Sequence, residues 1–340
     1  MEINTEPQKT TAFVTGANGF VGSFIVKELL DKGLDVKILL RPQAETLLID
    51  EVLHRLEVIE GDVLDVCVLQ EAMQGVQVVV HAAAVVSMAA KRYANMMKVN
   101  VEGTANMVNM ALLCGVKQFV HISSVAAIGN PSTATQAISE AEPLYNNVAG
   151  TMYAQSKYWS EREVWRAIEE GLPAVILNPA YVLGHGNWLK SSVQVFHYIW
   201  QKNSFFPPGS LNYVDVRDIA KATWQVIRQE KKAERFILCA GLKPHREVFA
   251  EIAKRFDVKP PSRRLSPILA KIACWFESIK CALTSAEPRI TKDTIAAASN
   301  NVPYDGQKAT RVLAIEYQTL QETLDWACKA YKAQQEKLGV

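Results

Sequence analysis

Tyr153 and Lys157 stand four residues apart in YAQSK, so on a helix their side chains share one face. A phenol with a pKa of about 10 is a poor proton carrier at neutral pH. A nearby ammonium stabilises the phenolate and brings that pKa toward the working range. Ser124, just past the apolar run KQFVHI, supplies a second hydrogen bond to a reacting oxygen. Tyr, Lys and Ser so placed can move a proton on or off a carbonyl or alcohol oxygen, given a hydride donor alongside. The chain holds a second Tyr/Lys pair at this spacing, Tyr198 and Lys202. That pair falls after the sixth predicted strand. Tyr153 instead follows the Ser124 strand by one loop and opens the next helix, so the first pair is the one placed to face Ser124.

A hydride donor needs a seat, and TAFVTGANGFVG at 11–22 offers one. Ala12, Phe13 and Val14 form a short strand that stops at Gly16, and FIVKELLDKG follows with helical spacing of Phe24, Ile25, Leu29 and Leu30. A strand, glycine turn and helix put free backbone N–H groups and the positive end of the helix dipole at one spot, which suits a pyrophosphate. Gly16 permits the turn, Gly19 the close approach of backbone to phosphate, and Gly22 the packing of helix on strand.

The elements that position these groups alternate. Further strands are predicted at 35–40, 56–60, 77–80, 117–122 and 174–177, with helices at 66–73, 93–114 and 152–170. Such alternation means βαβ units and a parallel sheet, whose ligands bind outside the carboxyl ends of the strands. Gly16, Arg41, Asp62, Ala82 and Ser124 all fall at those ends. Arg41, with no acid immediately after it, favours a 2′-phosphate over free ribose hydroxyls, hence NADP(H) over NAD(H). Asp62 is either an adenine contact or the N-cap of the 66–73 helix. The small residues Ala82, Ala83 and Ala84 leave room for a ligand against the backbone. Beyond the sixth strand, residues 183–211 are rich in aromatics: Trp188, Phe196, Tyr198, Trp200, Phe205 and Phe206. Residues 212–228 are expected to begin a helix that rejoins the body, with a last strand at 236–239.

TGANGFVG, HAAA, ISSVAAIG, YAQSK and NPAYVLG occur in the order found in the extended short-chain dehydrogenase/reductases. The chain resembles that family from Thr15 to Gly184, and YVDVRDIA extends the likeness to Ala220. Its dihydroflavonol-reductase and 3β-hydroxysteroid-dehydrogenase-like subgroup is the nearer match, on the background of the NAD-dependent epimerase/dehydratases. The resemblance implies an α/β Rossmann fold: a doubly wound parallel sheet with a smaller, mostly helical C-terminal lobe. Residues 1–182, with a return at about 212–243, would hold the cofactor, and 183–211 and 244–340 the substrate. It implies Tyr153 as general acid/base, Lys157 as the residue that holds the ribose and tunes Tyr153, and Ser124 as the catalytic serine, with Ser123 its neighbour. Asn100 would match the helix asparagine of a proton relay, or be a buried asparagine satisfied by backbone. The cofactor would touch Gly16, Asn18, Gly19, Phe20, Val21, Gly22, Arg41, Asp62, Val63, Ala82, Ala83, Ala84, Tyr153, Lys157, Pro179 and Val182.

The expected activity is an NADP(H)-dependent interconversion of carbonyl and alcohol on a small, apolar or ring-containing molecule. A nucleotide-sugar epimerase or dehydratase is the alternative on the same fold, and a non-catalytic NADP sensor a third. Two departures argue against a nucleotide sugar: Asn178-Pro179 stands where the family often has Arg-Pro, and Ile128 where nucleotide-sugar enzymes have tyrosine. The aromatic stretch, with only Lys190 and Lys202 as cations, points the same way.

Composition bounds the rest. The 340 residues are 49% hydrophobic and 21% charged, with 37 basic and 35 acidic residues and a net charge of +2. Nothing in this suggests nucleic acid. The six cysteines are scattered without a CxxC pair, which reads as buried free thiols in a reducing compartment and a cytoplasmic protein. No His, Cys or carboxylate cluster has metal-ligand spacing. The apolar stretch 268–283 is too short and too charged to span a bilayer, and reads as an amphipathic helix on the body. A small-molecule substrate is the expected partner, and a homodimer is left open.

Overall fold

The computed structural model describes residues 9–87, 92–129, 137–141, 151–266, 269 and 301–338. Apart from residue 269, the stretch 268–283 lies outside them, as does most of the loop after Gly129.

The body is a parallel sheet of seven strands. Its strands are β1 (Thr11–Thr15), β2 (Asp35–Leu40), β3 (Leu56–Glu60), β4 (Val78–His81), β5 (Gln118–Ile122), β6 (Ala174–Pro179) and β10 (Glu234–Leu238). They lie in the order β10-β6-β5-β4-β1-β2-β3. Strands β4, β5 and β6 are buried along their whole length, as expected of parallel strands covered on both faces. Helix α1 (Phe20–Asp31) and α7 (Val216–Arg228) pack on one face, where Ile25, Leu29, Ile219 and Val226 meet Val14, Ile38 and Val120. On the other face α2 (Val66–Ala72), α4 (Gly103–Leu113) and α5 (Met152–Glu169) bring Leu69, Met107 and Val164 against Phe13 and Phe119. The order reverses between β1 and β4, the kind of switch point at which doubly wound sheets bind their ligands.

A third apolar cluster forms a smaller lobe. It joins Trp188, Phe196 of α6 (Gln194–Trp200), Ile252 and Phe256 of α8 (His245–Phe256), and Leu324 and Tyr331 of α10 (Leu320–Leu338). Short strands tie it to the body: β7 (Tyr181–Leu183), β9 (Ser210–Asp215) and β11 (Gly241–Pro244) make one sheet, and β8 (Phe205–Phe206) pairs with β12 (Arg263–Arg264). Helix α9 (Gln307–Leu313) packs against β10.

Three expectations change. Residues 212–228 do not form one helix: β9 runs to Asp215, whose buried carboxylate accepts from Arg217 N at 2.8 Å and starts α7 there. The 93–114 helix is continuous but irregular, with α3 (Tyr93–Met97) passing through a π-helical turn at Lys98–Glu102 into α4. Of the four described cysteines, Cys239 and Cys328 are buried, but Cys67 is exposed and Cys114 partly so. Both of these sit at helix ends, where one side of the chain faces solvent.

Candidate active site

Gly16, Arg41, Asp62, Ala82 and Ser124 lie one or two residues past the ends of β1, β2, β3, β4 and β5, and so along one edge of the sheet. Gly16 has φ +71°, and a Cβ there would stand 2.6 Å from the backbone of Ala82 and Ala83. A Cβ on Gly22 would fall 2.0 Å from Gly16 O. No side chain caps α1 at Gly19, so its first amides are not taken up by a capping side chain. A cradle with no room for a Cβ, at an open helix N-terminus, fits a dinucleotide pyrophosphate.

Around it, Asn18 Nδ2 donates to Glu45 O at 2.9 Å, and Glu45 pairs with Lys190 from the lobe at 2.6 Å. Asp62 accepts from Leu64 N at 3.0 Å, a local turn, while Asp65 is the residue that caps α2. The capping alternative for Asp62 is thereby removed. Val63 packs its side chain on Gly103 and is buried. Phe20 is mostly buried beside Gly184 and Gly186. Val21 and Val182 are partly buried, and Pro179 ends β6 in the core. Arg41 is exposed.

Tyr153 and Lys157 share a face of α5, which Thr151 starts by accepting from Ala154 N at 3.1 Å. The Ser124 side chain lies close enough to the Tyr153 phenol to act on it as a hydrogen-bond partner. Burial raises the Tyr153 phenol above its ordinary value, and the bond to Ser124 draws it back. Lys157 Nζ donates to Ile122 O at 3.0 Å, at the end of β5. Burial brings the Lys157 ammonium down to about 8, against the pull of Glu161. Ser123 points the other way, its hydroxyl donating to Glu161 at 2.5 Å. Asn178 Nδ2 donates to Ser124 O at 2.8 Å and to Glu161 at 2.5 Å, so Asn178 braces the serine.

Asn100 sits within the π-helical turn and is buried. Its side chain accepts from Val85 N at 2.7 Å and donates to Val85 O at 2.9 Å and Ser156 Oγ at 3.0 Å. It clamps the segment after β4 and touches α5 one residue before Lys157. Beneath it His81 bridges the hydroxyls of Thr15 (2.7 Å) and Thr104 (3.0 Å), and burial keeps His81 neutral, its pKa lowered to about 3.

The aromatics of 183–211 are largely the core of the lobe. Trp188 and Phe196 are buried among Tyr331 and its neighbours, with Trp188 Nε1 donating to Gln334 at 2.7 Å. Tyr198 OH is held by Phe205 O at 2.9 Å, and Lys202 lies past the end of α6. The expectation that these aromatics wall a substrate is not carried by their packing.

Two groups escaped the sequence reading. Glu161 continues the four-residue step from Tyr153 and Lys157 by one more turn, a signal present in the sequence. Arg235, its partner, lies 74 residues on and leaves no local trace.

The family model of the 3-beta hydroxysteroid dehydrogenase/isomerase family matches residues 13–213. The chain belongs to this family. It is thus an NAD(P)-dependent enzyme of the extended short-chain dehydrogenase/reductases. A Synechocystis protein provisionally named a dihydroflavonol 4-reductase is 28% identical over 323 residues, covering 92% of each chain. Cinnamoyl-CoA reductase 1 of Oryza sativa subsp. japonica is 30% identical over 76% of this chain and 79% of its own. Among solved structures, gox2253 superposes with a TM-score of 0.82 at 28% identity, over 96% of this chain and 99% of its own. UDP-glucose 4-epimerase of Thermotoga maritima superposes with a TM-score of 0.78 at 18% identity, over 96% and 100%, which shows the shared fold. Among the described residues of this short-chain dehydrogenase/reductase, no helix is long and apolar enough to cross a membrane.

Proposed function

We propose that this enzyme is an NADP(H)-dependent carbonyl reductase, or an alcohol dehydrogenase run in reverse, acting on a small ring-containing molecule. The observation that carries the reading is the Ser124–Tyr153 hydroxyl pair at the end of β5, with Lys157 one turn further along α5. A bound nicotinamide would supply the hydride. Ser124 holds the substrate oxygen, and Tyr153 gives its proton to that oxygen as the carbonyl is reduced. A protonated Lys157 beneath stabilises the phenolate left behind. Asn100 holds the Val85 segment in place beside them, a positioning role that its hydrogen bonds support.

NADP(H) rather than NAD(H) follows from Arg41 at the end of β2, where a guanidinium suits a 2′-phosphate. The glycine cradle, Asn18, Asp62, Val63 and Ala82–84 would take the rest of the dinucleotide, with Pro179 and Val182 at the nicotinamide end. Residues 183–211 and 244–340 would form the substrate side and 1–182, with the return at 212–243, the cofactor side. A ring-bearing substrate is supported by relatives named as dihydroflavonol and cinnamoyl-CoA reductases, and by Asn178 and Ile128 standing where nucleotide-sugar enzymes differ.

The test is a panel of aromatic and alicyclic ketones, aldehydes and thioesters, followed by loss of NADPH absorbance. Reduction of at least one ring-bearing carbonyl is expected. Tight binding of UDP- or dTDP-hexoses with no reduction anywhere in the panel would replace this reading by the epimerase one.

A further inference from the structure

Tyr153, Lys157 and Glu161 occupy successive four-residue steps on α5, so one face carries phenol, ammonium and carboxylate in line. Glu161 is fully buried. Donors from three strands hold it: Ser123 Oγ past β5 and Asn178 Nδ2 of β6, each at 2.5 Å, and the guanidinium of Arg235 on β10. A buried carboxylate held by that many donors, one of them a guanidinium, cannot swing away.

We infer that Glu161 is a positioning residue whose fixed negative charge keeps Lys157 protonated beneath Tyr153. The inference rests on the reading of Lys157 as the group that holds the cofactor ribose and supports the phenolate.

The surroundings leave Glu161 as the anion for this task. Burial drives the Lys157 ammonium down, and Glu161 is the charge that opposes it, with the balance at about 8. His81 of β4 and His121 of β5 face Lys157 but are kept neutral by burial and by Lys157 itself. Tyr93 of α3 is turned to Gln155, and Arg166 at the far end of α5 is engaged by Glu163 and Glu170. Arg235 is occupied by Glu161 and lies over the Trp165 ring, 5.6 Å from its centroid. Without Glu161 the lysine would lose its proton at a lower pH.

The test is NADPH binding to the full chain, read by nucleotide fluorescence from about pH 6 to about pH 10 across the ordinary lysine transition. The parent should lose affinity above a midpoint near pH 8, set by Lys157. In Glu161→Gln that midpoint should move down by roughly half a unit or more. Glu161→Asp, which keeps the charge, should hold it. The double variant Glu161→Gln/Arg235→Met removes both buried charges together, which leaves no ion stranded in the core. It should also shift downward, by less than the single variant because the Arg235 cation is gone as well, and it decides the matter if the single variant does not fold. Uniformly weaker binding with an unmoved midpoint in any folded charge-removing variant overturns the inference. Lys157→Met separates the two readings: it should abolish the alkaline limb. If the limb persists there, the assignment of Lys157 fails rather than the role of Glu161.

Discussion

Ser123 and Ser124 are sequence neighbours that serve opposite sides of α5's contact with the sheet. Ser123 donates to Glu161 inside the core at 2.5 Å, while Ser124 meets the Tyr153 hydroxyl at the sheet edge. The extended backbone of Ser124, at φ −163° and ψ 153°, makes successive side chains alternate. Ser124→Ala should therefore lower turnover by about 10²–10⁴ and cost about 1 kcal/mol of stability through its lost cap on Ala126 N. Ser123→Ala should act mainly on stability, losing about 1.5–3 kcal/mol with its hydrogen bond to a buried charge. Thermal unfolding and steady-state turnover of the two variants check both halves.

Tyr153→Phe should fold and bind NADPH, because only a hydroxyl is removed. Turnover should fall by about 10²–10⁴. The same change at Tyr198, whose hydroxyl is tied to Phe205 O in the small lobe, should do far less. Wild-type turnover in Tyr153→Phe on a verified substrate would remove Tyr153 from its role.

Arg41→Ala should weaken NADPH by about 1.5–3 kcal/mol, the range for a hydrogen bond to a charged group, and leave NADH nearly unchanged. Isothermal titration with each nucleotide decides it, and equal losses would reject Arg41 as the 2′-phosphate contact.

Lys157 also has a stability signature. Its pKa is lowered on folding from 10.5 to about 8, so between those values the unfolded chain binds more protons than the folded one. Stability then rises with pH across that window, and the full penalty of burying the charge is present below about pH 8. Lys157→Met should thus be more stable than the parent at pH 7, by about 1–3 kcal/mol. The advantage should shrink toward pH 10, while catalysis is lost at both. Denaturant titrations at the two pH values give the comparison.

How much of this was legible in the sequence depends on how far each contact reaches. Strands such as β4 and β6 announce themselves because both faces are covered, which makes unbroken apolar runs such as VVV in β4 and AVIL in β6. Gly16 and Gly22 carry their own geometry, since backbone occupies the space a side chain would need. β9 was hidden because its burial alternates only in part and it runs without a turn into α7, the boundary being Asp215 alone. The aromatic stretch misled in another way: residue type shows that Trp188 and Phe196 want burial, but not whether a ligand or the helices α8 and α10 will bury them. Arg235 was invisible because an ion pair across the sheet has no sequence period.

The π-helical turn at Lys98–Glu102 fixes more than Asn100. A π turn spends one residue more than an α turn, so everything after it is rotated relative to an unbroken helix by about 100°. Thr104, Met107, Val108 and Ala111, all buried, face the core only in that rotated register. Gly103 lies directly after the turn, where a Cβ would meet Val63 at 2.7 Å. Deleting one residue there would take out the extra residue and let ordinary helix carry the same inner face to the core, whereas relaxing the turn to α-helix without a deletion would swing that face toward solvent. The irregularity is therefore a counting device: it lets one continuous helix present Asn100 to the segment after β4 and still dock its second half on the sheet.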